Sequence, residues 1–167
     1  MILVGAIAVV LHPHPSMGGD SSHPFVVEVA TLLTARGANV ATPDLHDPDP
    51  RTSTAQVTAL AESLNGDRVV LIGYSWGSVI TSHAAPSGLV ARVLVAPPAS
   101  MTLGDLTAVP ALALVPEHDQ YGGPDAIKEK LGGQSSVVIE TIPGADHFLW
   151  GSIDTIAQRC GAWLDAL

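Results

Sequence analysis

Arg68-Val69-Val70-Leu71-Ile72-Gly73-Tyr74-Ser75-Trp76-Gly77-Ser78-Val79-Ile80 runs from a β-branched, apolar strand through Gly-x-Ser-x-Gly directly into a helix. The run of Val, Leu and Ile shows no in/out alternation, as in a strand of a parallel sheet covered on both faces. A serine on so sharp a turn takes strained backbone angles, and side chains in place of Gly73 and Gly77 would collide with the adjoining strand and helix. The Ser75 hydroxyl is pushed into the open. A helix starting at Trp76 directs its positive end and free N–H groups at the same point. The other uses of such a turn are plain helix-on-strand packing and phosphate binding. Neither a Walker A pattern nor Gly-x-Gly-x-x-Gly stands in a strand-to-helix turn of this chain.

The same rhythm extends in both directions. Apolar runs at Ala6 to Leu11, Ala38 to Ala41, Arg68 to Ile72, Ala91 to Val95, Ala111 to Val115 and Ser136 to Ile142 predict six strands. Helical patterns lie between them at Pro24 to Arg36, Thr52 to Leu64, Trp76 to Ala85, Gly123 to Leu131 and Ser152 to Leu167, several closed by Gly or Pro. Such β-α alternation implies an α/β fold: about six mostly parallel strands flanked by helices, in a doubly wound sheet with right-handed crossovers. Two stretches break the rhythm, His12 to Pro24 and Pro97 to Pro110. The first follows a strand's carboxyl end, the rim where open α/β sheets hold ligands.

With 167 residues, 47% hydrophobic and 14% charged, the chain supports one domain over residues 1–167 and not two. Its formal charge of -9 repels phosphate backbones and anionic lipid, so neither nucleic acid nor membrane is expected as a partner. The lone cysteine, Cys160, sits among Ile156, Trp163 and Leu164 and reads as a small core residue. The apolar start, Met1 to Leu11, lacks the marks of an export signal and is far too short to span a bilayer, so a cytoplasmic location is expected.

A serine hydroxyl is a weak nucleophile at neutral pH. It needs an imidazole to take its proton, and a carboxylate to hold that imidazole's tautomer and orientation. The strand Ala111 to Val115 runs into Pro116-Glu117-His118-Asp119-Gln120, placing acids at the carboxyl rim. Asp119 is the expected acid, with Glu117 and Asp125 as alternatives. The last strand leads into Pro143-Gly144-Ala145-Asp146-His147-Phe148, putting His147 on a rim loop as the expected base. Asp146, beside it, is read as a loop stabiliser. His46, His83 and His118 read as structural.

The segment His12-Pro13-His14-Pro15-Ser16-Met17-Gly18-Gly19-Asp20 lies just past a strand's carboxyl end, and its N–H groups are candidates to join that of Trp76 in facing the oxyanion formed when Ser75 attacks a carbonyl. Proline has no N–H to give, which leaves His14, Ser16 and Met17. Ser16 or Met17 is favoured, since Gly18-Gly19 lets the backbone come close to a substrate. A metal site from His12, His14 and His23 is the rival reading. It lacks a Cys or a helical His-x-x-x-His, so no metal is expected, and the imidazoles are assigned to bonds in the Asp20 or Asp44 region.

His12 to Gly19, Gly73-Tyr74-Ser75-Trp76-Gly77, Val95-Ala96-Pro97-Pro98 and Gly144-Ala145-Asp146-His147-Phe148 together resemble the small α/β-hydrolases with a His-Pro-His-Pro-x-x-Gly-Gly loop, relatives of the dienelactone hydrolases. The likeness covers nearly the whole chain, and the order Ser75, Asp119, His147 is the order of that fold. It implies a minimal α/β-hydrolase fold without a lid domain and hydrolysis of small carboxylic esters or thioesters without a cofactor. A non-catalytic binding module, or a cofactor-free acyltransferase or perhydrolase, is the alternative. Many hydrolases of the fold open with two extra strands. Here the chain starts almost at the strand before the oxyanion loop, so a homodimer through that sheet edge is a further expectation.

Overall fold

The structure is a computed structural model and describes residues 2–167. Its elements follow in the order β1 (Ile7–Leu11), a 3-10 turn (Pro15–Met17), α1 (Pro24–Ala35), β2 (Asn39–Ala41), α2 (Pro50–Ser63), β3 (Val69–Tyr74), α3 (Trp76–His83), β4 (Leu89–Val95), β5 (Ala111–His118), α4 (Pro124–Leu131), β6 (Val137–Asp146) and α5 (Ile153–Asp165). One six-stranded sheet has the order β2-β1-β3-β4-β5-β6, every neighbouring pair parallel.

The elements form where apolar runs and helix signals agree. Proline opens α1, α2 and α4, where its missing N–H is one the helix could not have bonded anyway. His23 and Asp49 cap α1 and α2 through their side chains. Residues of β1 and β3 are buried throughout because both faces are covered. Ala8, Val10, Val70 and Ile72 pack with Phe25, Val29 and Leu33 of α1 and Ile156, Cys160 and Leu164 of α5. Val9, Leu11, Val69 and Leu71 face the other side, with Val57 of α2 and Ile80 of α3. Cys160 is wholly enclosed, and that burial pushes its thiol up to about 12, as suits a core residue.

Two strands run further than the sequence pattern predicts. Beyond Val115 and Ile142, β5 and β6 stay paired through a register shift to His118 opposite Asp146. Gly144, at φ 70, supplies the left-handed residue that lets β6 continue past Pro143. The connection from Val95 to Ala111 is irregular, as expected, and is tied down: Leu106 is fully buried and its N–H donates to Gln134 Oε1 at 3.0 Å. No lid rises from it.

One core feature has no apolar signal. Arg92 of β4 is 3% exposed, and its guanidinium donates to the carbonyls of Thr81 (3.1 Å) and Ala84 (2.9 Å) at the end of α3. A cation there satisfies carbonyls that the ending helix leaves free and opposes its negative pole. Burial lowers its pKa.

A Cβ on Gly73 would lie 2.1 Å from the Gly77 carbonyl oxygen and 2.5 Å from Thr81 Oγ1, whereas one on Gly133 would meet nothing within 4 Å. Gly73→Ala is therefore expected to lower unfolding free energy by about 3 kcal/mol, and Gly133→Ala to change it by less than about 0.5 kcal/mol. Urea unfolding of the two variants checks the contrast.

Candidate active site

The parallel strands end at one rim, and the turns and loops leaving that rim hold Ser75, Asp119, His147 and the segment from His12 to Asp20. Ser75 is the N-cap of α3 at φ 55, ψ -118, a region that non-glycine residues rarely occupy. The turn is locked from both sides. The Ser75 N–H donates to the Val95 carbonyl at 2.9 Å and its carbonyl accepts from Ser78 N–H at 2.9 Å. Gly77 passes so close to β1 that a Cβ would lie 2.6 Å from the His12 carbonyl oxygen.

Asp119 and His147 are the next residues after the paired His118 and Asp146, so the sheet delivers them side by side. His147 Nδ1 lies 2.9 Å from both Asp119 Oδ1 and Oδ2. A carboxylate only accepts, so this contact puts the ring proton on Nδ1 and leaves the Nε2 lone pair free. Nε2 in turn accepts from Ser75 Oγ at 2.8 Å. Asp119 is 7% exposed and His147 6%. The buried carboxylate also accepts from Tyr121 N–H at 2.8 Å, which compensates its lost hydration.

The imidazole is held by more than its carboxylate. Tyr74, the residue before the serine, donates its hydroxyl to the His147 carbonyl at 2.7 Å. Burial, followed by the charges of Asp119 and Asp146, pushes that phenol above its ordinary range, so it stays a donor. The rings of Tyr121 (4.6 Å), Phe148 (5.7 Å) and Tyr74 (5.9 Å) surround the imidazole. Tyr74's place inside Gly-x-Ser-x-Gly is readable in the sequence, but its bond to a residue 73 positions away carries no local signal.

The alternative acids have other tasks. Glu117 Oε2 accepts from Gly144 N–H at 2.7 Å, bracing the end of β6. Asp125 lies in the first turn of α4, where a negative charge favours the helix. Asp146 Oδ1 accepts from Phe148 N–H at 3.0 Å, the loop-stabilising role expected of it. His83 Nε2 bonds the Thr102 carbonyl at 3.0 Å, while His118 and His46 lie at the surface.

The loop after β1 requires a correction. Ser16 and Met17 are the N–H donors favoured by the sequence, but the 3-10 turn uses both. Ser16 N–H goes to His14 Nδ1 at 3.1 Å and Met17 N–H to the His14 carbonyl at 3.0 Å. Of the three candidate donors, His14 is the one whose amide has no protein acceptor among the described residues, and it lines the cleft with Ser75 and Trp76. The glycines serve the turn itself: a Cβ on Gly19 would lie 2.0 Å from the Pro13 carbonyl oxygen.

The loop histidines are engaged with backbone. His12 is 1% exposed; its Nδ1 donates to the Pro13 carbonyl at 2.7 Å and its Nε2 accepts from Leu45 N–H at 2.9 Å. That second bond ties the loop beside Asp44, near where the sequence reading puts it. Asp44 and Asp20 accept instead from Ser21 and Ser22, which lowers both carboxyls. His12 also stacks on Trp76 at 6.1 Å, and His14 meets the indole edge-on at 5.5 Å. Among the described residues, no group of three or more metal-ligating side chains converges.

The cleft at Ser75 has a volume of about 270 Å³. Trp76, Met101, Tyr121 and Phe148 give it a largely apolar wall.

A sequence model described as "Alpha/beta hydrolase family" matches residues 8–124. Among curated proteins, none matches the chain in sequence. Solved structures similar in fold include an alpha-beta serine hydrolase homologue from Coxiella burnetii, with 21% identity, 95% of this chain and 86% of that one covered, and a TM-score of 0.83. A Xanthomonas campestris protein described as an a/b serine hydrolase without lid has 22% identity, coverage of 93% and 79%, and a TM-score of 0.69. Est1E from Butyrivibrio proteoclasticus has 14% identity, coverage of 96% and 87%, and a TM-score of 0.80. At these identities the likeness is one of fold. Among the described residues, no helix is long and apolar enough to cross a membrane.

His23 sits at the cleft wall and caps α1, its Nδ1 accepting from Phe25 N–H at 3.2 Å. Burial lowers its pKa, opposed in part by Asp20. A histidine whose folded pKa is depressed stabilises fully above its unfolded value, about 6.5, and that contribution is lost as pH falls through the folded value. Asn at the same place caps a helix without titrating. Unfolding free energy of the wild type relative to His23→Asn should therefore decline between about pH 7.5 and pH 5. A difference that stays constant in parallel urea titrations would contradict it.

Proposed function

Because this chain belongs to the alpha/beta hydrolase family, we propose that it is a serine hydrolase cleaving small carboxylic esters or thioesters through an acyl-enzyme on Ser75. The observation that carries the reading is the unbroken contact from Ser75 Oγ to His147 Nε2 (2.8 Å) and from His147 Nδ1 to Asp119 (2.9 Å).

In the proposed reaction, Ser75 Oγ attacks the acyl carbon while its proton passes to His147 Nε2. Asp119 keeps Nδ1 protonated and stabilises the imidazolium. The carbonyl electrons move onto oxygen, and the resulting anion sits against the N–H groups of Trp76 and His14. Trp76 N–H is the first of α3 and has no partner within the helix, so it meets the anion with the helix's positive end behind it. When the carbonyl reforms, the bond to the leaving oxygen or sulfur breaks and His147 returns its proton to that atom. Water, activated by the same imidazole, then releases the acid and restores Ser75. A cleft of about 270 Å³ with an apolar wall suits a small acyl group, and no charged side chain in it selects against a neutral ester.

Labelling by a fluorophosphonate and a panel of p-nitrophenyl and thioester acyl chains test this together. Wild type should label once and hydrolyse the shorter chains. Ser75→Ala should lose the label and at least about four orders of magnitude in kcat. Asp119→Asn, which leaves the imidazole in place with the wrong proton, should lose about three to four orders. A folded wild type that neither labels nor hydrolyses any member of the panel would favour a binding module instead.

A further inference from the structure

Next to the cleft at Ser75 lies a second hollow of about 360 Å³. The two adjoin, since His23, Tyr74 and Phe148 line both. Beyond that shared wall the second hollow is bounded by Trp150 and Asp154. Trp150 is 80% exposed, on a turn where Leu149 (φ 60) and Gly151 (φ 69) are both left-handed. The turn buries Leu149 completely and lifts the indole into solvent. The strain of a leucine in that conformation is offset by its packing in the core, whereas the large exposed ring of Trp150 forgoes burial.

The hollow's chemistry is selective. Its lining includes the aromatic residues Tyr74, Phe148 and Trp150, and Asp154 is the one acidic residue among them. Burial lowers the pKa of His23, whose Nδ1 accepts from Phe25 N–H in capping α1. No Lys or Arg lines either hollow, and among the described residues no ion pair uses Asp154. Aromatic faces around a single carboxylate attract a cation, and a chain of charge -9 concentrates cations near its surface.

The chemistry at Ser75 says which half of a substrate goes there. A leaving group must lie within reach of the imidazole that returns its proton. The second hollow opens past Phe148, the neighbour of His147, whereas the Ser75 cleft holds the oxyanion donors and the apolar wall of Trp76 and Met101. Resting on the hydrolase reading above, we propose that the hollow bounded by Tyr74, Phe148, Trp150 and Asp154 binds the leaving alcohol or thiol, and that this group carries a positively charged nitrogen. Ser75 Oγ bonds to the acyl carbon, the ester bond breaks, and the cationic alcohol departs with the proton from His147. Water then releases the acid.

Acetylcholine and 3,3-dimethylbutyl acetate share shape and acyl group and differ in the charge of one atom, so the pair tests the claim on the full chain. The ratio of their kcat/KM values should favour the cation by about ten-fold at low ionic strength. It should fall toward one in Asp154→Asn and in Trp150→Ala, and also with added salt. Asp154 in the first turn of α5 would also aid the helix as a plain structural residue, but loss of that role leaves the ratio untouched. Equal or faster turnover of the neutral ester overturns the inference, as does a preference that survives Asp154→Asn. Failure to turn over acetylcholine by protein whose Ser75 reacts with a fluorophosphonate overturns it alone. Failure on both esters with Ser75 unreactive overturns it together with the hydrolase reading.

Discussion

His118 and Asp146 are paired at the ends of β5 and β6, and the rest of the site depends on that register. Parallel strands advance in step, so the residue after each pair member leaves the sheet beside its counterpart. Those residues are Asp119 and His147, and the 2.9 Å contact between them follows from strand pairing more than from side-chain choice. A one-residue slip would turn both side chains to opposite faces. Gly144 at φ 70 and the Glu117 carboxylate on its N–H stabilise the last stretch of β6 where the register is set.

The third member arrives by a different route. Ser75 holds an unfavourable φ of 55, and its neighbours keep it there: Gly73 and Gly77 admit the backbone of α3 and β1 at distances no side chain would tolerate. Strain of this kind persists only where the surroundings over-determine it. Tyr74 couples the two halves, because it precedes the serine and its hydroxyl bonds the His147 carbonyl. The Ser75 turn and the His147 loop are thus fastened through one buried ring.

Much of this was legible in the sequence because the signals were local. Gly-x-Ser-x-Gly between a strand and a helix, Pro at helix starts, and apolar runs without alternation gave the element order and put Ser75, Asp119 and His147 on one rim. What failed was longer in range. The extension of β5 and β6 through Pro116 and Pro143 comes from strand pairing, which no propensity records. The loop after β1 misled because Gly18-Gly19 drew attention to Ser16 and Met17, whereas a 3-10 turn spends both of their amides on His14. Arg92 among apolar residues gave no hint that it closes the end of α3.

The proposed reaction passes an acyl group through the Ser75 oxygen. Rapid acid quench of the protein with a p-nitrophenyl ester, followed by peptide mapping, observes that step directly. One acyl group per chain is expected, on the peptide containing Ser75, formed as p-nitrophenol is released. Steady release of p-nitrophenol from folded protein with no acyl group on Ser75, or with the group on another residue, would contradict it.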